Sequence, residues 1–384
     1  MSILETGHEM PNSVPTVDSL VIDGASLVYS KQPGQSRTFD DYANDIILPH
    51  IKSLAQSHLR VDVVFDVYYD DSLKGETRRK RGIGSRRKVT RNTRPPKSWN
   101  TFLRCDEHKT ERFGFLADNI ASMNTDATIV VTKEENVVSN KVIDIDFIAP
   151  CTHEEADTRM FLHAKHAAIG GSKSINIVSS DTDVVVIGVA VFDDLNVDHL
   201  WMTFGKGKDL RWIPIHDIVR SLGPRSKALP FFHAFTGCDT VSAFVGKGKK
   251  TAWQAWNVFE NATEVFHCLS SPCDNLTQSE IGVLKEFVVI MYDRSSSTIK
   301  VNDARLDIFA RIQRPFNGIP PSRAALVDHI KRYVLQAGHT WGQLLCISRK
   351  LYHHLPCRVG KTIAEFGPTL DMTGANNSTI SRNT

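Results

Sequence analysis

The sequence predicts an α/β fold, in which a mostly parallel β-sheet is flanked by helices and followed by a helical C-terminal part. In the first 230 residues, short apolar runs that suit buried strands alternate with stretches whose apolar residues have helical spacing. Such alternation is typical of units in which a helix connects two parallel strands. After Pro230 the pattern becomes helical.

The predicted elements follow in order along the chain. Residues 1–16 are predicted to be a flexible leader. The predicted strands are residues 17–29, with an interruption at Gly24, and then residues 61–66, 128–132, 174–180 and 198–204. The predicted helices between them are residues 38–57, 101–122 and 153–169. Apolar strands separated by helices fit a sheet that is buried on both faces.

The C-terminal third is predicted to be helical and then polar. Residues 276–345 form a predicted helical extension, which includes EIGVLKEFVVIMY and a second segment that ends at Gly338. Residues 346–384 form a predicted tail, the end of which is polar and expected to be disordered. A large domain of residues 17–275 therefore precedes the extension and the tail.

Composition indicates a globular protein inside the cell. Hydrophobic residues make up 41% of the 384 residues and charged residues 23%, which is sufficient for a buried core. No run of about 18 apolar residues occurs, and MSILETGHEMPNSVP lacks the regions of a signal peptide, so neither a membrane partner nor secretion is expected. Seven scattered cysteines fit a reducing compartment. Zinc sites around Cys268 or Cys346 are a less favoured alternative, because neither has paired CxxC spacing.

One segment carries much of the positive charge. Residues 74–97 contain eleven Lys or Arg and one Glu, whereas the rest of the chain has 35 basic and 42 acidic residues. A basic segment on an acidic body is typical of a phosphate-binding element beside a carboxylate-rich site. A solvated loop or a nuclear-import signal fits the same run. The segment favours the nucleus over the cytoplasm as the location of the protein.

Acidic residues recur where predicted strands end or helices begin. Because the carboxyl ends of parallel strands meet at one edge of a sheet, we expect these acids to lie close together. Each acid alone is more readily explained as a cap or turn residue, and Thr152 to Glu155 also fits a capping box. Five such places in one chain favour a shared site. The acids are Asp23, Asp66, Glu154, Glu155, Asp157, Asp181, Asp183 and Asp239.

Clustered carboxylates suit one kind of chemistry in particular. Mg²⁺ prefers oxygen ligands, whereas Cys and His favour other metals. Two divalent ions about 3.5–4 Å apart can activate water and stabilise the leaving oxygen during phosphodiester hydrolysis. Without metal, the carboxylates would repel one another. The sequence therefore favours a two-metal hydrolytic site.

Five motifs resemble those of the flap-endonuclease superfamily, whose fold is a PIN-like domain with an added DNA-binding helical element. They are VIDGASLV, VVFDVYYDDSLKGETRRKRG, EEADTR, SSDTDVVVIG and FTGCDTVSAFVGKGKKTAW, in the family's order, between about Leu20 and Trp256. The resemblance implies a PIN-like domain over residues 17–275, with a basic arch-like segment at 71–100 and a helix-hairpin-helix at 237–262. Beyond this domain, the chain resembles uncharacterised PIN-like proteins present in multiple copies in animal genomes.

The resemblance also implies an activity and the residues that carry it. The implied activity is divalent-metal-dependent hydrolysis of branched or single-stranded-ended nucleic acid, DNA rather than RNA, with two Mg²⁺ or Mn²⁺ ions and a K⁺ ion at the helix-hairpin-helix. The implied metal ligands are Asp23, Asp66, Glu155, Asp157, Asp181, Asp183 and Asp239. The implied catalytic cations are Lys74 and Arg81. The implied nucleic-acid-binding residues are Arg78, Arg79, Lys80, Arg86, Arg87, Lys88, Gly246, Lys247, Gly248, Lys249 and Lys250.

The chain departs from the family's pattern at two of these positions. Asp157 stands where the family has a glutamate, and Lys247 stands where an apolar residue is usual. A catalytically inactive PIN-like protein, which binds nucleic acid or acts as a scaffold, is therefore kept as the alternative function, because a fold alone does not decide an activity. The helical extension is a candidate surface for a protein partner.

Overall fold

A sheet of seven strands organises the part of the chain that the computed structural model describes, which is residues 1–67, 89–103, 106–205, 207–238, 241–273, 275–311 and 318–348. The strands are β1 Ser19–Asp23, β2 Arg60–Val64, β3 Thr128–Lys133, β4 Asn136–Ser139, β5 Ser174–Val178, β6 His199–Phe204 and β7 Arg211–Pro214. Their order across the sheet is β4-β3-β2-β1-β5-β6-β7.

The centre of the sheet is parallel and its two edges are antiparallel. β1 pairs in parallel with β2 and β5, as do β2 with β3 and β5 with β6. The edge strands β4 and β7 pair antiparallel with β3 and β6. The predicted α/β fold with a mostly parallel sheet is confirmed. Because the chain moves outward from β1 to β3 on one side and from β5 to β6 on the other, a topological switch point lies between β1 and β5.

Helices cover both faces of the sheet and form the C-terminal part. The helices up to β3 are α1 Ser2–Glu5, α2 Gly24–Ser30, α3 Phe39–Tyr42, α4 Leu48–Ala55, α5 Trp99–Phe102 and α6 Asp106–Ala121. Those between β4 and the hairpin glycines are α7 Ala156–Ile169, α8 Thr182–Leu195, α9 Ile215–Leu222 and α10 Arg225–Phe235. The remaining helices are α11 Lys249–Val258, α12 Ala262–Leu269, α13 Gln278–Tyr292, α14 Val301–Arg311 and α15 Arg323–Tyr333, with π-helical turns at Ala43–Ile47 and Val334–Trp341. None of the helices in the described ranges is long and apolar enough to cross a membrane.

Side chains of the central strands alternate between two apolar cores. Leu20 and Ile22 of β1 lie in the core beneath α2 to α6, whereas Val21 lies in the core beneath α7 to α10. In the same way, Val61 of β2 enters the first core and Val64 the second. Burial on both faces explains why these strands appear in the sequence as continuous apolar runs.

The helices after α10 continue the second core. Phe266 of α12, Phe287 of α13, Tyr333 of α15 and Trp341 of the second π-helical turn are buried in the same cluster as residues of β5 and β6. The rings of Phe266 and Phe287 lie edge to face, with their centroids 5.1 Å apart. The predicted helical extension therefore packs directly on the body of the protein.

The N-terminal segment also contacts the body. The predicted leader contains α1, whose Leu4 side chain is buried in the second core. The carboxylate of Glu5 lies 2.8 Å from the guanidinium of Arg211 on β7. An apolar contact and an ion pair thus hold the start of the chain against the edge of the sheet.

Several elements differ from the prediction. Residues 17–29 are not one interrupted strand, because β1 ends at Asp23 and α2 begins at Gly24. The edge strands β4 and β7, with four residues each, are too short to show a clear apolar period. The sequence pattern does not predict helix α8, because its VVVIGV run is buried on all sides and is rich in β-branched residues, which favour strands. Helices α9 and α10 also begin before Pro230.

A buried ion-pair network joins β2 to α7. Asp62 in β2 is fully buried and accepts hydrogen bonds from Arg60 at 2.7 and 2.8 Å and from Nδ1 of His163 at 2.7 Å. Burial opposes ionisation of Asp62, but the Arg60 and His163 contacts outweigh it and lower the pKa of Asp62 to about 2. Burial lowers the pKa of His163 to about 4, so this histidine is neutral near pH 7.

We predict that Asp62→Asn lowers the free energy of unfolding by about 3–5 kcal/mol near pH 7, because it leaves the Arg60 charge buried without its partner. The pKa of Asp62 is lower in the folded protein than its ordinary value of 3.8, so its carboxylate stabilises the fold above that pH. This contribution is lost as the pH falls towards 2, and the difference between wild type and variant should shrink over the same range. Denaturant unfolding at several pH values measures both effects.

Asp118→Asn is the matched control for this prediction. Asp118 forms an ion pair with Lys133 at 2.7 Å, but its side chain is 58% exposed, so the expected loss is below about 1 kcal/mol. Equal losses for the two variants would contradict the stabilising role of the buried network.

Candidate active site

The switch point between β1 and β5 forms an open cleft at the carboxyl edge of the sheet. Asp23 ends β1, and Asp181 follows the end of β5 by three residues. Both line a cleft of about 530 Å³, together with Ser26 and Tyr29 of α2 and Thr182 of α8. Open α/β sheets bind their ligands at this kind of position.

Asp23 both ends β1 and begins α2. Its Oδ1 accepts a hydrogen bond from the backbone N–H of Ser26 at 3.0 Å, which caps the helix. The next residue is Gly24, and a Cβ there would overlap with the ring of Phe65, which follows β2. A side chain at this position would therefore push apart the ends of β1 and β2. The glycine that the sequence suggested as a break in a strand serves this close packing.

Asp66 brings a second acidic segment to the same edge. Its Oδ1 accepts from the backbone N–H of Ala156, the first residue of α7, at 2.8 Å, and Val67 N–H donates to the Glu154 carbonyl at 2.8 Å. Glu155 and Asp157 flank Ala156, so these contacts place them beside Asp66. The end of β2 and the start of α7 are thus held together.

The capping box considered for Thr152 to Glu155 does not form. Helix α7 begins at Ala156, and Glu155 is its N-cap residue without a side-chain capping bond. The N–H of Ala156, at the first position of the helix, donates to the carboxylate of Asp66, which lies 90 residues earlier in the sequence and takes the place of a local cap. Glu155 is therefore not needed as the local cap that this alternative assigned to it.

Asp181 and Asp183 begin α8 in the same manner. Asp181 is the N-cap residue, and its Oδ1 accepts from the Asp183 N–H at 2.8 Å. The Asp183 carboxylate lies in the first turn, where its Oδ1 is 2.8 Å from Nε2 of His233 on α10. These contacts orient both acids of the SSDTD motif at the carboxyl end of β5.

The electrostatics show that these acids share one region. Burial and the charges of Asp66 and Asp181 raise the pKa of Asp23 to about 7, against the lowering effect of hydrogen bonds from the Ser26 and Ala25 amides. A carboxyl group whose pKa is raised by burial and by neighbouring negative charge is favoured in its ionised form by a nearby cation. The hard oxygen donors present here fit Mg²⁺ or Mn²⁺ by their chemistry.

The carboxylates are not arranged around a common point. Within the described ranges, no group of three or more Asp, Glu, His or Cys side chains has the geometry to hold a metal ion. Asp23, Asp66 and Asp181 each direct one oxygen towards a backbone amide. To bind a shared ion, these carboxylates would have to rotate about their side-chain bonds and direct their second oxygens towards it.

Several of the residues expected to act on nucleic acid lie outside the part of the chain that the structure describes. They are the metal ligand Asp239, the catalytic cations Lys74 and Arg81, and the arch residues Arg78, Arg79, Lys80, Arg86, Arg87 and Lys88. Their roles stay predictions.

The hairpin residues before α11 have unequal environments. Gly246 has a φ of 70°, in the left-handed region that favours glycine. Gly248 has ordinary backbone angles, and a Cβ there would meet no atom within 4 Å. The Lys247 ammonium lies 5.1 Å from the centre of the Tyr292 ring. Lys250 is exposed.

Lys249 points into the protein. Its Nζ donates to the carbonyls of His233 and Gly237 at 2.7 Å and to the Thr236 hydroxyl at 3.1 Å. Burial lowers the pKa of Lys249 to about 8, against the raising effect of Cys238 and Asp183. The ammonium therefore caps the C-terminus of α10 and ties it to the start of α11.

The structure adds two residues that the sequence did not single out. Tyr29 lies at the rim of the cleft and is 46% exposed. It shares one face of α2 with Ser26 and follows Asp23 by six residues, so recognition of α2 as a helix would have placed all three together. His233 contacts Asp183 from α10, and no sequence pattern connects positions 50 residues apart.

No protein-family model and no curated protein matches this chain. Among solved structures, the T5 D15 protein co-crystallised with metal ions is 12% identical with a TM-score of 0.39, over 78% of this chain and 96% of that one. The catalytic core of Rad2 in complex with DNA substrate is 13% identical with a TM-score of 0.35 in two complexes. These alignments cover 87% and 86% of this chain and 93% and 92% of the Rad2 chains. Similarity at this level supports no conclusion about activity.

We predict that Asp23→Asn stabilises the metal-free protein increasingly as the pH rises from 5 to 8. The pKa of Asp23 is raised from 3.8 in the unfolded chain to about 7 in the folded protein. The free energy of unfolding of the wild type should therefore fall as the pH rises above 3.8, until Asp23 is ionised in the folded protein above about pH 7. Asparagine keeps an acceptor for the Ser26 amide but does not ionise. Thermal unfolding in EDTA should show the difference, and Asp198→Asn, an exposed position, should show none. A variant less stable than wild type at pH 8 would contradict the crowding of charge at this edge.

Proposed function

We propose that this protein is a divalent-metal-dependent nuclease that hydrolyses phosphodiester bonds in branched or single-stranded-ended nucleic acid. The observation that carries the proposal is that Asp23, Asp66 and Asp181 come from the ends of three adjacent parallel strands. Burial and the charges of Asp66 and Asp181 together raise the pKa of Asp23 to about 7. Such a cluster, at the switch point of an α/β sheet, suits cations and the phosphates that they bind. DNA rather than RNA is the proposed substrate, and the nucleus is the proposed location.

The acids at the carboxyl edge would hold two Mg²⁺ or Mn²⁺ ions. The proposed ligands are Asp23, Asp66, Glu155, Asp157, Asp181, Asp183 and Asp239. When bound, the ions would supply Lewis-acid activation of water and neutralise charge on the phosphate. The protein's own contribution is orientation, because the helix starts of α7 and α8 fix the backbone of four of these acids relative to the ends of β2 and β5.

Other residues are proposed to bind the nucleic acid. The exposed ring of Tyr29 at the cleft rim is suited to stack on a base next to the scissile phosphate. The backbone amides at the start of α11, with the exposed Lys250 beside them, are suited to bind a duplex phosphate, because a helix N-terminus favours anions. The basic residues 74–97 are proposed to contact further phosphates. The K⁺ ion at this hairpin and a protein partner of the helical extension remain predictions.

A catalytically inactive nucleic-acid-binding or scaffold protein is the second candidate. One observation favours it: one oxygen of each of Asp23, Asp66 and Asp181 already accepts a hydrogen bond from a backbone amide, and the described side chains form no ready-made metal site. Such capping would give these acids a structural role without catalysis.

We predict that Asp181→Asn abolishes metal-dependent cleavage while preserving the fold. Asparagine can still cap α8 through its side-chain oxygen, so the melting temperature of the metal-free protein should hold or rise. Loss of one ligand charge should lower the cleavage rate about 100-fold or more and reduce stabilisation by Mg²⁺ or Ca²⁺. Cleavage of flap, splayed, hairpin and single-stranded DNA and RNA measures the first effect, and thermal shifts measure the second.

The exposed control for this experiment is again Asp198→Asn, which should leave both readouts unchanged. Full activity in Asp181→Asn would overturn the two-metal assignment. Wild-type protein that binds these substrates without cleaving any of them, in Mg²⁺ or Mn²⁺, would establish the binding or scaffold function instead.

We predict that Gly248→Val weakens duplex binding and leaves cleavage of single strands mostly intact. The backbone angles at Gly248 accept valine and a Cβ there meets no atom within 4 Å, so folding should be preserved. The valine side chain would occupy the space through which a phosphate reaches the α11 amides. Fluorescence anisotropy with duplex and single-stranded DNA measures the contrast, and equal losses on both would reject the duplex-binding role of the hairpin.

Two lysines provide the comparison for this hairpin experiment. Lys250→Ala should weaken the binding of duplexes of any base sequence to a similar extent, and it should reduce the slope of log affinity against log salt concentration by about one. Lys249→Met should instead lower the melting temperature, since the Lys249 ammonium caps α10 inside the protein.

A further inference from the structure

His233 is a buried histidine whose contacts lead directly to the acidic edge. Its Nε2 lies 2.8 Å from Oδ1 of Asp183, and the two side chains are 7% and 15% exposed. An ionised carboxylate can only accept hydrogen bonds, so Nε2 of His233 carries the proton that it donates to Asp183. Oδ1 of Asp183 is therefore used in a hydrogen bond within the protein, and a metal ion would bind through Oδ2.

Asp183 differs in this respect from its neighbours. Asp23, Asp66 and Asp181 accept hydrogen bonds from backbone amides, which no side-chain substitution other than proline removes. Asp183 is held by a side chain, which belongs to α10 and not to the sheet. The orientation of its carboxylate therefore depends on where α10 places the imidazole ring.

Two contacts fix His233 in that place. The Lys249 ammonium binds the His233 carbonyl at 2.7 Å and so holds the last turn of α10. The indole of Trp341, in the π-helical turn after α15, lies with its centroid 6.1 Å from the imidazole. Trp341 is 2% exposed, so the surrounding core restricts its movement and the indole limits where the His233 imidazole can lie.

The position of the π-helical turn is itself set by close backbone packing. A Cβ at Gly338 would lie 2.7 Å from the Ser271 carbonyl oxygen, and a Cβ at Gly342 would lie 2.6 Å from that of Ser270. The C-terminal segment can approach α12 this closely only because these residues are glycines. A chain of contacts therefore runs from the extension through Trp341 and His233 to Asp183.

We propose that His233 is a positioning residue that orients Asp183 for metal binding, and that the C-terminal extension is part of the site because it supports this histidine through Trp341. The inference rests on the proposed function, since it needs a divalent ion at the acidic edge. Ligating carboxylates are commonly held by hydrogen bonds from neighbouring side chains, and removal of such a partner typically weakens metal affinity or activity 10- to 100-fold.

The test is calorimetric titration of the full chain with Mn²⁺, which reads metal affinity independently of cleavage. His233→Leu keeps much of the volume but removes the donor, so it should weaken Mn²⁺ binding about 10- to 100-fold. His233→Gln places an amide N–H near the position of Nε2 and should restore most of the affinity. Trp341→Ala, which removes the supporting ring, should weaken Mn²⁺ binding in the same direction as His233→Leu.

His216→Leu is the matched control. His216 is also a buried histidine, but it bonds to the Leu200 carbonyl at the opposite end of the sheet. This variant should lose thermal stability and keep the Mn²⁺ affinity of wild type, which separates positioning from general destabilisation.

The outcomes distinguish the two levels of the proposal. If the wild-type protein binds no Mn²⁺, both the proposed function and this inference are rejected. Wild-type binding that is matched by His233→Leu, or that is weakened equally by His216→Leu, would reject the role of His233 alone and leave the nuclease proposal standing.

Discussion

The parallel direction of the five central strands is the constraint on which the rest of the structure depends. Because β3, β2, β1, β5 and β6 all run the same way, their carboxyl ends and the helices that follow must meet at one edge of the sheet. Three acids at this edge, Asp23, Asp66 and Asp181, satisfy amides at the starts of three helices. The same geometry that caps the helices therefore concentrates negative charge.

Two aspartates of the same sheet show how neighbours decide the state of a buried acid. Asp62 has Arg60 and His163 against it, and its pKa falls to about 2 despite burial. Asp23 has burial and two further aspartates around it, and its pKa rises to about 7. The first arrangement stabilises the fold by itself, whereas the second opposes folding at neutral pH unless a cation is bound. This contrast is the physical reason for the proposal of metal binding at the carboxyl edge and of a structural role for Asp62.

The C-terminal helices are integrated with the site as well as with the core. Tyr333 and Trp341 lie in the same apolar cluster as the helices behind β5, so the extension cannot be separated from the body of the protein without exposing that cluster. Trp341 then reaches His233, and His233 reaches Asp183. His233 thus contacts the apolar core through Trp341 and the acidic edge through Asp183, so the packing of the extension affects the orientation of the Asp183 carboxylate.

The sequence by itself determined the α/β class, the central strands and the edge at which the acids would gather, because burial on both faces leaves apolar runs and parallel strands end together. It did not determine α2 or α8: the first is too short for a period, and the second is buried on all sides. Only the tertiary structure decided that Asp66 caps a helix 90 residues away and that His233 holds Asp183. Such contacts join distant segments through the direction of single side chains, which no local periodicity encodes.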